Sequence, residues 1–162
     1  MRVAALGRAT KRILVVDDYE PYRRTIFIML QKQEHLRVIG EAVDGLEAVE
    51  LAERLQPDLV LLDIGLPALD GLKVARRIRE LSPKSRILFV SENRSWDIAE
   101  EALRTGAAGY VIKTNAASEL LAAVNAVLAG NRFISASLPG SHASEQRQGL
   151  PTVPSVRNPA LS

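Results

Sequence analysis

Hydrophobic residues in the middle of the chain alternate between short continuous runs and longer amphipathic stretches. The runs are rich in β-branched residues and short, which is typical of strands buried on both faces of a parallel sheet. The stretches between the runs have the length of helices. This alternation predicts an α/β fold with β-α repeated five times and helices on both faces of a five-stranded parallel sheet. The runs are Arg12–Val16, Leu36–Glu41, Leu59–Leu62, Ile87–Val90 and Gly109–Ile112.

Helix start signals support this reading of the amphipathic stretches. Pro21 stands where the first turn of a helix tolerates proline. Asp44, with Glu47 three residues later, has the spacing of a capping box. Asp70 and Ser118 are predicted to be the N-caps of two later helices.

The two ends of the chain lack the alternating pattern. We predict a flexible N-terminal arm over residues 1–11, one folded domain over residues 12–138 and a disordered tail over residues 139–162. The tail contains four of the eight prolines and few large apolar residues. It therefore buries too little surface to offset the entropy lost on ordering.

Composition narrows the class of protein only a little. The chain has 162 residues and a net charge of +2, which is too even a balance to indicate a nucleic-acid or membrane partner. It has no cysteine, so disulfides, thiolate nucleophiles and cysteine-ligated zinc are excluded. The lack of cysteine fits a cytoplasmic protein. No apolar run is long enough to predict a membrane span.

Polar side chains stand at the ends of four of the five predicted strands. Asp17 and Asp18 follow the first strand, Asp63 the third, Ser91 the fourth and Lys113 the fifth. The carboxyl ends of parallel strands share one edge of the sheet, where ligands bind. Converging carboxylates repel one another, and Mg²⁺ relieves this repulsion while accepting phosphate oxygens as further ligands. With a hydroxyl and an amine nearby, the pattern indicates a phosphoryl-transfer site.

Each of these residues alone has an ordinary structural explanation. An acidic pair after a strand is commonly a solvated turn or a helix cap. Asp63 is equally compatible with a turn, Ser91 with the start of a loop and Lys113 with the surface. Their occurrence together, in this order, favours the functional interpretation.

At these positions the sequence resembles the receiver domains of bacterial two-component response regulators, over about residues 12–138. The subfamily it resembles most is that of the LuxR, NarL and FixJ type. The resemblance implies a doubly wound, flavodoxin-like sheet and a signalling domain that is not an enzyme in the usual sense. The matching segments are Arg12–Asp18, Asp58–Gly71, Ile87–Ser91 and Gly106–Lys113.

The resemblance also implies how the acidic residues act. Asp63 is expected to accept the phosphoryl group. Asp18 is expected to bind Mg²⁺ (or Mn²⁺) directly, and Asp17 to act on the ion through water. The backbone carbonyl of Gly65 is expected to complete the metal site.

The remaining roles belong to the phosphoryl group and the switch. Ser91 is expected to hydrogen-bond the phosphoryl group and Lys113 to pair with it. Tyr110 is expected to change rotamer together with Ser91, although a half-buried edge aromatic is its simpler interpretation. The loop after the acceptor is expected to be shaped by Pro67 and Gly71, for which ordinary turn chemistry is an equally good explanation.

Two features depart from the family pattern. The residue after the switch hydroxyl is usually small in this family, but here it is Glu92, whose carboxylate is expected to hinder the phosphoryl donor. The sequence after Leu138 has no amphipathic helices of a helix-turn-helix domain, so this chain is not expected to bind DNA specifically. A stand-alone receiver, a degenerate regulator and a fragment all fit.

The expected partners are a sensor histidine kinase or a histidine phosphotransfer protein, and a downstream protein of unknown identity. A homodimer is possible through a small-residue helix face of Ala122, Ala126 and Ala129, although alanine is also simply a good helix former. A haloacid-dehalogenase-type phosphatase needs a second aspartate two residues after the nucleophile, but in this chain that position is Gly65. A nucleotide-binding module needs a glycine-rich phosphate loop after the first strand, and this chain has none there. A receiver-like interaction module that works without phosphorylation stays open.

Overall fold

The computed structural model of the protein describes residues 9–138. Most of the predicted arm and the whole of the predicted tail lie outside these residues. The first strand begins at Lys11, one residue before the predicted domain boundary.

The described residues form six strands and five α-helices in alternating order. The strands are β1 (Lys11–Val16), β2 (Leu36–Ala42), β3 (Leu59–Leu62), β4 (Arg86–Ser91), β5 (Gly109–Ile112) and β6 (Phe133–Ile134). The helices are α1 (Glu20–Gln31), α2 (Gly45–Leu55), α3 (Gly71–Leu81), α4 (Trp96–Arg104) and α5 (Ala116–Leu128). A short 3₁₀ turn, Lys113–Asn115, joins β5 to α5.

The sheet is parallel throughout, with the strand order β2-β1-β3-β4-β5-β6. The predicted parallel α/β fold is confirmed, with one strand more than the five predicted. The chain leaves α5 through Gly130, whose φ of 96° suits glycine, and returns alongside β5. The extra strand has only two residues, which is too short to produce a hydrophobic pattern in the sequence.

Helices cover both faces of the sheet, so each face has its own apolar core. On one face, α2, α3 and α4 pack on alternate residues of the strands, including Leu14, Leu62 and Phe89. On the other face, α1 and α5 pack on the residues between, including Ile13, Leu61 and Leu88. Burial on both faces explains why the strands read as continuous apolar runs rather than alternating patterns.

The capping predictions are confirmed for two helices and wrong for a third. Asp44 accepts from the Glu47 N–H at 2.8 Å, and Asp70 accepts from the Lys73 N–H at 3.1 Å. Ser118, the predicted cap of α5, lies inside that helix, and its hydroxyl donates to the Asn115 carbonyl at 3.1 Å. The helix starts earlier than predicted because the 3₁₀ turn leads directly into it.

Among residues 9–138, no helix is both long enough and apolar enough to cross a bilayer.

Candidate phosphoacceptor site

The order of the strands creates a crevice at the carboxyl edge of the sheet. From β1 the chain moves outward to β2 and then returns to the opposite side of β1 as β3. The loops after β1 and β3 therefore diverge, and a ligand can enter between them. The structure brings all of the sequence-predicted acids, Asp17, Asp18 and Asp63, together at this point.

Asp63 is held firmly by its backbone at the end of β3. Its N–H donates to the Val16 carbonyl at 3.1 Å, which continues the ladder between β1 and β3. One carboxylate oxygen lies 3.4 Å from the Gly65 nitrogen and the other lies 3.4 Å from Lys113 Nζ. The residue is 8% exposed, so its carboxylate faces the crevice from a mostly desolvated position.

Lys113 joins two of the three carboxylates. Its ammonium lies 2.6 Å from Asp17 Oδ2 and 3.4 Å from Asp63 Oδ2. Asp17 is almost fully buried, and its other oxygen accepts from the Tyr19 N–H at 2.9 Å. Arg23 donates to the Asp17 carbonyl at 2.7 Å and so ties α1 to the end of β1. The strand ends thus bring residues 50 positions apart in sequence into direct contact.

Burial and charge act on these groups in opposite directions. Burial raises the pKa of the Asp63 carboxyl, and the charge of Lys113 offsets only part of that rise. Burial lowers the pKa of the Lys113 ammonium, but the Asp17 hydrogen bond and the charges of Asp63 and Asp17 outweigh it, so the net shift is upward. The lysine therefore stays charged at neutral pH, beside Asp63, whose carboxyl burial makes costly to ionise.

The three carboxylates also fit a hard divalent cation. One oxygen from each of Asp17, Asp18 and Asp63 can be chosen so that all lie within 4.8 Å of one another. Asp18 is exposed and lines the open crevice, which leaves room for water ligands. An acidic group of this kind, open on one side, suits Mg²⁺, which keeps several waters and takes few carboxylates. Gly65 also lines the crevice.

The loop after Asp63 is closely packed against the backbone of that residue. A Cβ on Gly71 would lie 2.6 Å from Ile64 Cα and closer still to the Asp63 carbonyl oxygen, so only glycine fits. The Gly71 N–H donates to the Ile64 carbonyl at 2.8 Å. Pro67 accepts from the Gly45 N–H at 3.2 Å, which connects this loop to α2. Ala68, between them, has a φ of 71°.

Ser91 ends β4, and Tyr110 lies on the neighbouring strand β5, where it pairs with Phe89. The Ser91 hydroxyl accepts from the Asn93 N–H at 3.1 Å. Tyr110 is fully buried, and its hydroxyl donates to the Asn93 carbonyl at 2.8 Å. The simpler interpretation of Tyr110 as a half-buried edge aromatic is wrong, because β6 continues the sheet beyond β5 and the ring points inward.

The crevice is an open cavity of about 980 Å³. Glu92 is exposed on the wall of this cavity. Tyr22 on α1 also lines the cavity, and its ring lies 4.6 Å from Lys113 Nζ. The sequence gives no sign of this role, because an aromatic residue in an amphipathic helix is normally a core residue. The lining residues are Asp18, Tyr19, Tyr22, Asp63, Ile64, Gly65, Ser91, Glu92, Asn93, Lys113 and Thr114.

Residues 13–125 match the family model of the response regulator receiver domain. The chain belongs to this family. The matched residues include every predicted site position, from Asp17 to Lys113. The predicted family and receiver fold are therefore confirmed, and the domain is a receiver of the two-component type.

Known response regulators are similar in sequence to this chain over most of its length. The response regulator GacA of Pseudomonas viridiflava is 36% identical over 124 residues, which is 76% of this chain and 58% of that protein. The nitrate/nitrite response regulator protein NarL of Escherichia coli is 35% identical over 126 residues, 78% of this chain and 58% of that protein. The chain spans about three fifths of the length of these curated relatives. For two further relatives, a transcriptional regulator of Pseudomonas aeruginosa and BvgA of Bordetella pertussis, the share is 57% and 64%.

Solved structures agree with the fold. A LuxR-family two-component response regulator from Aurantimonas sp. superposes with a TM-score of 0.79 at 33% identity, covering 86% of this chain and 99% of that one. The response regulator domain of Thermotoga maritima CheB gives 0.70 at 32% identity, covering 75% of this chain and 98% of that one.

Proposed function

We propose that this receiver accepts a phosphoryl group on Asp63 from the phosphohistidine of a sensor histidine kinase or a histidine phosphotransfer protein. The observation that carries the proposal is the Lys113 ammonium placed between the carboxylates of Asp17 and Asp63 at the mouth of an open cavity. A carboxylate nucleophile, a fixed cation and room for a donor are the groups that this transfer needs.

The chemistry is a displacement at phosphorus. An oxygen of Asp63 forms a bond to phosphorus while the donor's P–N bond breaks, and the imidazole nitrogen keeps that electron pair. The product is a carboxyl phosphate on Asp63 and a free histidine on the donor. Lys113 neutralises charge on the transferred oxygens, and Ser91, at the end of the neighbouring strand β4, donates to one of them.

The metal site belongs to the same proposal. Asp18 and Asp63, with the carbonyl of Gly65, would hold Mg²⁺ or Mn²⁺ directly, and Asp17 would act through water. When bound, the ion neutralises charge on the acids and on the phosphoryl oxygens. The direct pairing of Asp17 with Lys113 supports its assignment as the acid that lies farther from the ion.

The switch we propose follows from the contacts of Ser91. A new anion on Asp63 draws the Ser91 hydroxyl toward it and disturbs the Asn93 segment, to which Tyr110 is also bonded. That change passes to α4, β5 and α5, whose surface would meet the downstream protein. Formation of a homodimer through the alanine face of α5 is a further part of this proposal.

We also propose that Glu92 slows the reaction. Its exposed carboxylate lines the cavity through which an anionic donor must approach. Replacing Glu92 by Ala should raise the rate of phosphorylation by acetyl phosphate. An unchanged rate would show that Glu92 does not limit donor access.

The test of the whole proposal is intact mass after incubation of the protein with acetyl phosphate and Mg²⁺. We expect one added phosphoryl group on the wild type, and none on Asp63→Asn or when the metal is chelated. If the wild type gains none from acetyl phosphate or from a range of histidine kinases, the alternative of a phosphorylation-independent interaction module is favoured.

A further inference from the structure

One buried polar group in the cavity wall is not used by the proposed chemistry. The Tyr22 hydroxyl is shielded from solvent and has no hydrogen-bond partner, and it is alone in this respect among the buried side-chain polar atoms of residues 9–138. A buried donor without a partner costs stability. Such a group in a native structure calls for an explanation, and a ligand that supplies the missing partner is one.

The surroundings of Tyr22 indicate the charge of that ligand. The face of its ring lies 4.6 Å from the Lys113 ammonium, which is itself in contact with Asp17 and Asp63. A cation over the ring face is favourable, so the ring helps to hold the ammonium where it meets the two acids. Tyr22 therefore contacts Lys113, the residue that joins Asp17 and Asp63.

The phenol remains a hydrogen-bond donor at neutral pH. Its pKa is raised well above the usual range, first by burial and then by the carboxylates of Asp17, Asp63 and Glu92. Those carboxylates act on the hydroxyl through their charge, but none of them accepts a hydrogen bond from it. The missing acceptor is therefore best supplied by an anion that is attached to one of these carboxylates and extends beyond it toward the hydroxyl.

We propose that the Tyr22 hydroxyl is a further binding group of this site, which donates a hydrogen bond to an oxygen of the phosphoryl group carried by Asp63. The inference rests on the proposed phosphorylation of Asp63. A phosphoryl group adds three strong acceptor oxygens beyond the carboxylate. Tyr22 thus completes a set of donors on three elements, with Ser91 at the end of β4 and Lys113 after β5.

The test uses beryllium fluoride with Mg²⁺ as a phosphoryl mimic, titrated by calorimetry into the full chain. Removing one hydrogen bond to a charged group should weaken binding of the mimic to Tyr22→Phe about ten-fold. Binding of Mg²⁺ alone should stay within about two-fold of wild type, because the hydroxyl contacts only the phosphoryl oxygens. Tyr19→Phe is the matched control, since Tyr19 lines the same cavity but is 63% exposed.

A second variant separates the ring from the hydroxyl. Tyr22→Leu also removes the aromatic face from Lys113, so it should bind the mimic more weakly than Tyr22→Phe does. Because Tyr22→Phe removes only an unpartnered hydroxyl, its thermal stability should equal or exceed that of the wild type.

Equal affinity of Tyr22→Phe and wild type for beryllium fluoride would overturn the inference. So would an equal loss of affinity for Mg²⁺ alone, since the hydroxyl would then serve the metal site. In both cases the wild type still binds the mimic, and the proposed function survives. If the wild type itself binds no mimic and accepts no phosphoryl group, the proposed function fails and the inference fails with it.

Discussion

The buried polar groups at the two edges of the central sheet differ in how completely they are paired. At the amino edge, where the strands begin, these groups are paired with one another. At the carboxyl edge, where the strands end, two buried acids share one lysine beside the exposed Asp18, and a tyrosine hydroxyl has no partner among the described residues. Both edges belong to the same strands, so the difference comes from the side chains that follow or precede each strand.

The amino edge is closed by short hydrogen bonds. Arg12 donates from its backbone to Asp58 at 2.7 Å and from its guanidinium to the carbonyls of Leu55 and Gln56, at 2.7 and 2.9 Å. These bonds satisfy carbonyls at the end of α2, which helices otherwise leave unpaired. Arg86 likewise donates to the Val127 carbonyl near the end of α5.

The polar groups at the carboxyl edge are less completely paired. The strand ends bring its acids together although they repel one another, and Lys113 is the cation that pairs with two of them. Fold stability and the proposed ligand binding therefore depend on opposite edges of one sheet. Removing Lys113, or a hydrogen-bonded hydroxyl at the amino edge, should therefore destabilise the fold, whereas removing an acid at the carboxyl edge should stabilise it.

The largest effect is expected from Lys113→Met. The substitution leaves Asp17 and Asp63 as two buried carboxylates without a cation, and breaking a buried ion pair in this way costs about 3 kcal/mol of unfolding free energy. Chemical denaturation in chelator at pH 7 measures this loss. Lys84→Met, at an exposed position, is the control and should change stability little. Equal stability of the two variants would show that Lys113 does not hold the acids together.

A smaller loss is expected at the amino edge from Ser85→Ala. The Ser85 hydroxyl donates to the Pro57 carbonyl at 2.5 Å and lies 2.6 Å from the Ser82 hydroxyl, with both serines buried. The alanine leaves a carbonyl and a hydroxyl without partners, which costs about 2 kcal/mol. Ser118→Ala, on the exposed side of α5, is the matched substitution. If both variants lose the same small amount of unfolding free energy, the hydrogen bonds of the Ser85 hydroxyl do not stabilise the amino edge.

Asp63→Asn should act in the opposite direction and stabilise the fold at pH 7 without metal. Burial raises the pKa of Asp63 above its unfolded value of 3.8. The folded state thus binds the proton more tightly, and its stability falls as pH rises from 3.8 through the folded pKa. Asparagine removes this cost, so its advantage should be present at neutral pH and disappear below 3.8. A destabilised Asp63→Asn at pH 7 would contradict the account.

The sequence predicts most of the fold because burial on both faces leaves its signature directly in the strands. The runs ending at Val16 and Leu62 are buried along nearly their whole length, and both are visible as apolar segments. The acids at their ends are visible for the same reason, as polar residues that interrupt the runs. Strand ends in a parallel sheet then bring them together without any further information.

What the sequence does not predict depends on contacts between distant segments. The short strand β6 exists because residues after α5 return to β5, where the Ser135 hydroxyl accepts from the Ile112 N–H at 2.9 Å. The position of Tyr22 against Lys113 joins α1 to the end of β5 and has no local signal. The sequence also does not show where α5 begins, because the 3₁₀ turn before it has no distinctive hydrophobic period.

The most direct test of the central claim is to identify the modified residue after phosphorylation. Reduction of a carboxyl phosphate with borohydride converts aspartate to homoserine, which peptide mass mapping can locate. The account predicts homoserine at position 63 in wild type treated with acetyl phosphate and Mg²⁺, and aspartate there in untreated protein. Homoserine at Asp17 or Asp18, or at no position, would contradict the assignment of Asp63 as the phosphoacceptor.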